Sequence, residues 1–496
     1  MHEIELKFGI APDRLQAVAR AVTRSGSRTA RLRAAYFDSG DGRLATKGMS
    51  LRLRQEGQHW IQTAKASTGH AISRLEDNVP VPAPLRGRAP ALDLSRHDHT
   101  PLGAALRKAL GGGDGSPLEL RFQTDVERRS RTLRAKGARI ELALDVGEVT
   151  ASGLSEPIRE LEMELKSGPM PPLLDLAARW VGQHGLWLST LSKAERGALL
   201  REGRREPGPT QAAAPRLPAP ATARAFMTAT IESCMRQVLA NASAVAVGSE
   251  DAEIVHQLRV GLRRLRTALR ELSAFAQGID PAWEEGLRKV FHELGDFRDR
   301  AVVMPQIHAD LGAAGAPELK GRELSSSAAR RPTTVVRDAA FQRLLLALVG
   351  FEHALSASTQ DGGDDPCVVV ARRLAKLLQR VARDGKRFGD LDTTGQHRVR
   401  KRLKRLRYLS EFAVPLFGEK RVDRYLENWR QAQDALGIYN DQCVAANLFR
   451  ADAAAEPNAW FAVGWLEAQK GASVKRCRRA LRKAAKARPF WSEAAT

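Results

Sequence analysis

The chain has 496 residues and contains 79 lysine and arginine residues against 57 aspartate and glutamate residues, a formal net charge of +22. This length predicts two or three domains, and the charge indicates a polyanionic partner: nucleic acid, an anionic membrane surface or polyphosphate. Aromatic residues make up only 5% of the chain, which argues against proteins that bind single-stranded nucleic acid by stacking its bases.

The chain begins with a segment in which charged and apolar side chains alternate. Glu3, Glu5 and Lys7 are separated by apolar residues, the period-two pattern of a strand with one buried face. Two carboxylates and an ammonium would share one face of this strand, and neighbouring carboxylates repel unless a metal ion or a basic group lies between them. Taken alone, the segment is better explained by a strand whose charged face is solvated.

Further segments within the first 200 residues repeat this alternation. Their charged residues are Arg52, Arg54, Lys65, Arg74, Glu76, Arg121, Arg128, Glu141, Asp145, Glu160, Glu162, Glu164 and, at the end, Lys193. Strands with charged inward faces cannot form an apolar core, because buried unpaired charge is costly, so the series predicts a barrel with a polar interior. Carboxylates select hard cations such as Mg²⁺ or Mn²⁺, and arginine and lysine select phosphate oxygens. The series therefore predicts a tunnel that binds a metal ion and phosphates.

The elements between and after these strands complete the first region. Amphipathic or short helical patterns are predicted at 13–25, 101–110, 171–184 and 192–200. Residues 203–222 are rich in proline and alanine without hydrophobic periodicity, which is typical of a linker. We therefore expect a first domain over residues 1–202 and a second over 223–490.

An internal repeat dominates the second region, where strand patterns end and long helical patterns begin. The segment 256–266 matches 397–407, and 294–299 matches 436–441 at nearly the same offset. Two copies predict two helical bundles related by pseudo-symmetry. Within the repeat, Asp299 and Asp441 are interpreted as orienting basic side chains, with a metal link as the alternative.

Each copy of the repeat places a basic stripe on one side of a helix. The stripe residues are His256, Arg259, Arg263 and Arg266 in the first copy, and His397, Arg400, Lys404 and Arg407 in the second. Like charges three and four residues apart destabilise an isolated helix, so we expect a polyanion to compensate. One basic helix would be an ordinary solvated surface, but two copies in the same register favour binding. Gly261 in the first helix costs about 1 kcal/mol relative to alanine, which predicts weaker binding by that copy.

These residues resemble two known families. Over residues 1 to about 200 the resemblance is to the CYTH, or triphosphate tunnel metalloenzyme, family, on the ordered series Glu3-x-Glu5-x-Lys7, Arg52-x-Arg54, Lys65, Arg74-x-Glu76, Asp145, Glu160-x-Glu162-x-Glu164 and Ser192-Lys193. Over about 225–490 the repeat is similar to the CHAD domain, a helical module associated with inorganic polyphosphate. Together they imply an α+β two-domain protein: an antiparallel β-barrel tunnel with flanking helices, followed by an all-α domain.

The CYTH resemblance implies roles for individual residues. Glu5 or Glu76 would orient the attacking water, and Lys193 would take part in catalysis. Divalent metal ions, Mg²⁺ or Mn²⁺, would be held by Glu3, Glu5, Asp145, Glu162 and Glu164. The triphosphate would be bound by Lys7, Arg52, Arg54, Lys65, Arg128 and Lys193. The CHAD resemblance implies that the eight stripe residues bind polyphosphate.

Three functions follow as alternatives. The first is metal-dependent hydrolysis of inorganic triphosphate, with polyphosphate bound by the helical domain. The second is a tunnel enzyme acting on an organic triphosphate, such as a thiamine triphosphatase or a class IV adenylate cyclase-like enzyme. The third is a non-catalytic protein that binds polyphosphate or nucleic acid, of which polyphosphate is favoured. The sequence leaves the choice of metal, the chain length of the substrate and the oligomeric state open.

The compartment is inferred from cysteines and hydropathy. The four cysteines lie far apart without CxxC spacing, so we expect reduced thiols and no cysteine metal site. The charged first segment does not fit a signal peptide, and no run reaches 18 apolar residues. We therefore expect a cytoplasmic protein without a membrane span, which could associate with polyphosphate granules.

Overall fold

A computed structural model describes residues 2–67, 73–83, 89–111, 117–218, 221–317, 330–357 and 364–492. The chain divides into two compact units. The first unit comprises residues 1–210, 239–249 and 336–350, and the second comprises 211–238, 250–335 and 351–496. The first unit contains the β-structure, and the regular elements described for the second unit are helices.

The strands of the first unit form an antiparallel barrel. They are β1 (His2–Gly9), β2 (Arg28–Ser39), β3 (Met49–Glu56), β4 (His59–Ser67), β5 (Ser73–Val81), β6 (Leu118–Ala135), β7 (Ala138–Ala151), β8 (Leu154–Ser167) and β9 (Trp187–Leu188). The sheet order is β5-β4-β3-β2-β6-β7-β8-β1-β9, and β1 also pairs with β5. Eight strands therefore close into a barrel, as predicted, and β9 adds to the end of β1.

Helices cover the outer, apolar faces of the strands. The helices of this region are α1 (Leu15–Val22), α2 (Arg43–Thr46), α3 (Pro101–Leu110), α4 (Pro171–His184) and α5 (Lys193–Arg201). On β1 the residues between the charged ones, such as Leu6 and Phe8, are fully buried. On β3 and β4, Leu51 and Ala64 pack with Leu106 of α3. Because the apolar residues of β1, β3 and β4 face outward, period two turns the charged residues of these strands inward.

Helix α5 closes part of the barrel interior. Its Leu200 lies in an apolar cluster with Ala34, Phe122 and Val126, which the strand register places on the inward faces. Gly197 allows the close approach, since a Cβ atom there would lie 2.1 Å from the Phe122 ring. The interior is therefore apolar beneath α5 and charged beyond it.

The remaining helices follow residue 222. They are α6 (Ala223–Val247), α7 (Ala252–Glu271), α8 (Ala282–Arg298), α9 (Met304–Ala313), α10 (Pro332–Val336), α11 (Ala339–Ala357), α12 (Pro366–Lys386), α13 (Thr393–Phe412), α14 (Val414–Phe417), α15 (Glu419–Asp452) and α16 (Ala459–Ala484). A π-helical turn, Asp299–Val303, joins α8 to α9. In the ranges that the structure covers, every helix is too short or too polar to traverse a lipid bilayer.

The two copies of the repeat adopt equivalent helices. Helix α7 packs against α8, α13 packs against α15, and α7 and α13 pack against each other. Asp251 caps α7 by accepting two hydrogen bonds from backbone N–H groups of the first turn, and Asp392 caps α13 by accepting one. His256 and His397 are the fifth residues of their helices. The repeat found in the sequence is therefore a structural repeat.

Gly261 has a packing role within α7. It is buried, and a Cβ atom there would lie 3.0 Å from Val238 Cγ2 of α6. The residue therefore faces a neighbouring helix, and its cost in helix propensity is offset by the close approach of α6.

Candidate active site and cationic cluster

The charged residues predicted for the tunnel lie on the barrel strands and at the start of α5. They are Glu3, Glu5 and Lys7 on β1; Arg52 and Arg54 on β3; Lys65 on β4; Arg74 and Glu76 on β5; Arg128 on β6; Asp145 on β7; Glu160, Glu162 and Glu164 on β8; and Lys193 on α5. Strand register brings many of them opposite one another, for example Lys7 with Glu162 and Arg128 with Asp145.

Three carboxylates converge on β7 and β8. One oxygen from each of Asp145, Glu160 and Glu162 lies within 4.8 Å of the others. The Lys193 ammonium lies among them, with its Nζ 2.6 Å from Asp145 Oδ2 and 3.0 Å from Glu162 Oε1, and also in contact with Glu160. Asp145 and Glu160 are almost completely buried. We call Asp145, Glu160 and Glu162 the carboxylate cluster.

Arg128 is the second cation on the carboxylate cluster. Its Nε and Nη2 donate to the two oxygens of Asp145 over 2.7 and 2.6 Å, and Nη2 also donates to Glu162 Oε2 over 2.6 Å. Burial opposes the ionised carboxylates, but the Lys193 and Arg128 cations outweigh it and lower the pKa of both Asp145 and Glu162. Asp145 and Glu162 are therefore ionised at neutral pH.

A second acid–base group joins β1, β4 and β5. Lys65 Nζ lies 3.3 Å from Glu3 Oε2 and 2.6 Å from Glu76 Oε2. Burial and a hydrogen bond with Glu76 raise the pKa of Glu3 to about 8, although Lys65 opposes the change. Burial opposes ionisation of Glu76 too, but the Glu3 hydrogen bond and Lys65 lower its pKa. At pH 7 Glu3 therefore keeps a proton that it shares with the Glu76 carboxylate.

Arginines occupy the facing side of the barrel. Arg52 Nη1 donates to the Tyr36 hydroxyl over 3.0 Å, and Arg54 Nη2 lies 2.6 Å from Glu56 Oε1. Burial and repulsion by Arg52 lower the pKa of Arg54 to about 10. Within the part of the chain that the structure describes, the buried Nε atoms of Arg52 and Arg54 have no hydrogen-bond partner. Both guanidinium groups therefore keep donors that an anion can use.

The other predicted metal ligands do not meet the carboxylate cluster. Glu164 binds Lys166 over 2.5 Å, and Glu5 Oε1 lies 3.7 Å from Arg74 Nη1. Glu3, as described, pairs with Lys65 and Glu76. Of the five residues predicted to hold metal, only Asp145 and Glu162 converge. The predicted list omitted Glu160, although its place in the Glu160-x-Glu162-x-Glu164 alternation was a signal for it.

The carboxylate cluster fits a divalent cation by its chemistry. Its ligand atoms are all carboxylate oxygens, the type that Mg²⁺ and Mn²⁺ prefer. Glu160 Oε2 is buried and has no hydrogen-bond partner among the described residues. An unpartnered buried oxygen is costly, so the cluster offers at least one acceptor to a further cation.

The basic stripes of the two repeat helices form one cationic cluster. Repulsion from Arg263 contributes to lowering the pKa values of Arg259, Arg400 and Lys404, so residues of both copies lie in range of each other. The guanidinium carbons of Arg259 and Arg263 lie 4.7 and 4.9 Å from the centre of the Phe291 ring. In the described ranges, Arg259, Arg263, Arg400 and Lys404 form no ion pair with a carboxylate. We call these four residues the cationic cluster.

The outer residues of the stripes are partly neutralised. Arg266 donates to Glu284 over 2.6 Å, and Arg407 donates to Glu411 over 2.6 Å. Burial lowers the pKa of His256, and burial with repulsion from Lys401 and Arg400 lowers that of His397 to about 4. Both histidines are therefore neutral at pH 7, and they contribute no charge to the stripe.

Lys404 has the largest shift of the cationic cluster. Burial and repulsion from Arg263, Arg400 and Arg407 lower the pKa of Lys404 to about 7, although Glu411 opposes the change. A lysine whose pKa is lowered to near neutral pH indicates a site in which positive charges outnumber the carboxylates that could compensate them.

Comparison with known proteins identifies the family of each region of the chain. Family models match a CYTH domain over residues 1–198 and a CHAD domain over residues 229–450. An inorganic triphosphatase of Haemophilus influenzae is 32% identical over 205 residues, which cover 40% of this chain and 55% of that protein. An uncharacterized protein of Mycobacterium tuberculosis is 29% identical over 254 residues, 48% of each chain. This chain thus spans about half the length of the curated relatives it matches.

Among solved structures, the CHAD domain from the plant Ricinus communis is 28% identical and covers 55% of this chain and 96% of that chain, with a TM-score of 0.46. The two family matches coincide with the barrel and with the helical repeat, respectively. The chain therefore belongs to the proteins in which a CYTH domain, here residues 1–198, is followed by a CHAD domain, here residues 229–450.

Proposed function

We propose that the CYTH domain hydrolyses inorganic triphosphate to diphosphate and phosphate with Mg²⁺ or Mn²⁺, and that the CHAD domain binds inorganic polyphosphate. The observation that carries the first part is the presence of acids and bases on the inward faces of one barrel, with the carboxylate cluster across the interior from Arg52 and Arg54. The name of the Haemophilus influenzae relative supports the same substrate. We retain 1–202 and 223–490 as the proposed domain bounds.

The basic residues bind the triphosphate in this proposal. Arg52 and Arg54 have unpartnered buried N–H groups among the described residues, and guanidinium groups match pairs of phosphate oxygens. Lys65 adds an ammonium that Glu3 and Glu76 hold in place. Lys7 adds a further ammonium, with its Nζ 3.9 Å from Glu162 Oε1 of the carboxylate cluster.

The carboxylate cluster holds the divalent ion in this proposal. Asp145, Glu160 and Glu162 are the ligands, and the predicted ligands Glu3, Glu5 and Glu164 lie in separate ion pairs. The ion would neutralise charge on the phosphate oxygens and on the departing diphosphate. Arg128 donates hydrogen bonds to Asp145 and Glu162 and thereby keeps their ligand oxygens in position.

Water is the nucleophile: its oxygen forms a bond to the terminal phosphorus while the bond from that phosphorus to the bridging oxygen breaks, and the proton that the water loses is taken up by the phosphate products. Glu76 is ionised and accepts hydrogen bonds, so it can orient the water; its lowered pKa makes it a poor acceptor of the proton. Glu5 is the alternative from the sequence, and its carboxylate lies near Arg74. Arg52 stabilises charge that develops on the phosphate oxygens.

The CHAD proposal rests on the cationic cluster. Four cations from two helices lie together without carboxylate partners in the described ranges, and Lys404 is held near its neutral form. A polyphosphate chain would supply the missing negative charge in a continuous, flexible form. The phosphate chemistry of the neighbouring CYTH domain favours this ligand over nucleic acid.

The test of the enzymatic proposal is phosphate release from the purified full-length protein with Mg²⁺ or Mn²⁺. Tripolyphosphate, ATP and thiamine triphosphate are assayed side by side, and tripolyphosphate is expected to be the preferred substrate. Glu162→Gln should abolish release, whereas Glu127→Gln on the outer face of β6 should leave it unchanged. Preference for an organic triphosphate, or full activity of Glu162→Gln, would refute the proposal.

The test of the binding proposal is competition between long-chain polyphosphate and RNA of equal total charge for the full-length protein. Polyphosphate should displace RNA at the lower concentration. If RNA binds more tightly, the cationic cluster is a nucleic-acid site.

A further inference from the structure

Lys193 lies where the proposed function places a metal ion. Its ammonium contacts one oxygen of each of the three cluster residues, at 2.6 Å from Asp145 and 3.0 Å from Glu162 and in contact with Glu160. An ammonium has three N–H donors, and in this position each has a carboxylate to bind. Lys193 thus binds one oxygen of each carboxylate, and Glu160 Oε2 stays without a hydrogen-bond partner among the described residues.

The same oxygens cannot bind Lys193 and a divalent ion together. Magnesium requires oxygen ligands at about 2.1 Å around the ion, which is the region that the Lys193 nitrogen occupies at 2.6 to 3.0 Å from Asp145 and Glu162. Two cations in one place would also repel each other strongly at low local dielectric. Binding of a metal ion to these three carboxylates therefore requires Lys193 to leave them.

The backbone of Lys193 is fixed, but its side chain is long. Ser192 caps α5 through a capping box with Glu195, so Lys193 is the first residue of a well-anchored helix. Gly197 packs α5 onto Phe122. A lysine ammonium on a four-carbon stem can change position without moving its Cα atom.

The ammonium also acts on groups outside the carboxylate cluster. Lys193 contributes, with Arg52, to lowering the pKa of Tyr36, so the ammonium lies in electrostatic range of the arginine side of the barrel. Arg128, by contrast, is held by two hydrogen bonds to Asp145 and one to Glu162. Both cations make three contacts with the cluster, but Arg128 binds through a planar fork of fixed geometry and Lys193 through one ammonium on a flexible stem, so Lys193 is the cation more easily displaced.

We propose that Lys193 is an exchangeable cation, which occupies the carboxylate cluster in the free protein and turns toward the phosphates when a divalent ion takes its place. This inference rests on the proposed function, since it assumes that the cluster binds the ion. Lys193 opposes metal binding in the absence of triphosphate and assists triphosphate binding once the metal is bound. Metal and substrate should therefore bind cooperatively, and the metal alone weakly.

The experiment is a calorimetric titration of Mn²⁺ into the full-length protein without triphosphate. Lys193→Met removes the competing ammonium and should bind Mn²⁺ at least tenfold more tightly than the unaltered protein. Lys193→Gln is a second variant with the same expected result, and thermal unfolding of each variant identifies any that fails to fold. The matched control is Arg54→Met, which removes the same charge from the barrel interior without touching the cluster.

Equal or weaker Mn²⁺ affinity in both Lys193 variants would overturn the exchange. So would an equal gain in Arg54→Met, because a general change of charge in the barrel would then explain the result. These outcomes are distinguishable from failure of the proposed hydrolysis, which is measured as phosphate release by the unaltered protein. A protein that releases no phosphate but gains Mn²⁺ affinity only on loss of Lys193 would retain the exchange and refute the hydrolysis.

Discussion

Arg128 and Asp145 face each other across β6 and β7 and form two parallel hydrogen bonds of 2.7 and 2.6 Å. Asp145 is fully buried, and the same Arg128 guanidinium also binds Glu162. A fork of this kind fixes both groups in one geometry. The pair therefore links the stability of the barrel to the arrangement of the candidate metal ligands.

Loss of this pair should destabilise the protein. Asp145→Asn leaves Arg128 and Lys193 with one buried carboxylate fewer, and breaking a buried ion pair costs about 3 kcal/mol or more of unfolding free energy. Urea denaturation of the full-length protein measures the change. Asp125→Asn is the control, because its pairs with Arg31 and Arg33 are exposed and should contribute less than about 1 kcal/mol. Equal losses of unfolding free energy in the two variants would contradict the burial of the Arg128–Asp145 pair.

Arg52 should matter for catalysis more than for folding. Its guanidinium donates to Tyr36, and its Nε has no hydrogen-bond partner within the described ranges, so Arg52→Met removes a donor that is available to the phosphate. We expect kcat/KM for tripolyphosphate to fall by about 100-fold, the usual effect of removing one donor to developing oxyanion charge.

The matched control for Arg52 is Arg33→Met on β2, whose exposed side chain pairs with Asp125. Steady-state phosphate release at fixed Mn²⁺ should be unchanged in this variant. An unchanged rate in Arg52→Met would show that the triphosphate does not contact this side of the barrel.

Polyphosphate affinity should depend on the ionisation of Lys404. The pKa of Lys404 is lowered to about 7 by burial and by Arg263, Arg400 and Arg407, against Glu411. A bound polyanion would raise this pKa, so binding takes up a proton above pH 7. Affinity should be highest below pH 7, where Lys404 is already charged, and should fall as the pH rises through 7 toward the higher pKa of the complex.

Titration of long-chain polyphosphate at pH 6, 7, 8 and 9 checks this dependence. Lys404→Arg keeps its charge throughout and should lose most of the decline above pH 7, and Lys404→Met should bind more weakly below pH 7. The same decline in Lys404→Arg as in the unaltered protein would assign the effect to another group.

Both copies of the repeat should contribute to one polyphosphate site. Arg263 belongs to the first copy and Arg400 to the second, and their charges repel each other. Arg263→Met and Arg400→Met should each weaken binding and should each reduce the dependence of log affinity on log salt by about 1, as expected for one lost phosphate contact.

The control for the two arginines is Arg430→Met, an exposed residue of α15 that pairs with Glu427. It should change neither the affinity nor the salt dependence. If only one of Arg263→Met and Arg400→Met has an effect, polyphosphate binds one copy of the repeat and the cationic cluster does not act as a unit.

Much of the architecture could be predicted from local pattern. Period two in the first 200 residues identified which side chains share a face with Glu3 and Glu162, and the offset between His256 and His397 identified the repeated helices. These inferences succeed because side-chain direction in a strand or helix depends on spacing along the chain alone. The same alternation showed which strands carry mainly acids, and which carry mainly bases, on that face.

Which charged residues meet was decided by the tertiary structure. Asp145, Glu160 and Glu162 converge because the register of β7 and β8 aligns them, whereas Glu164 turns to Lys166 and Glu3 to Lys65. The position of Lys193 depends on how α5 packs against Phe122, far away in sequence. Spacing along one strand fixes a residue's face, but its neighbours across the barrel follow from strand pairing and closure, which no local pattern encodes.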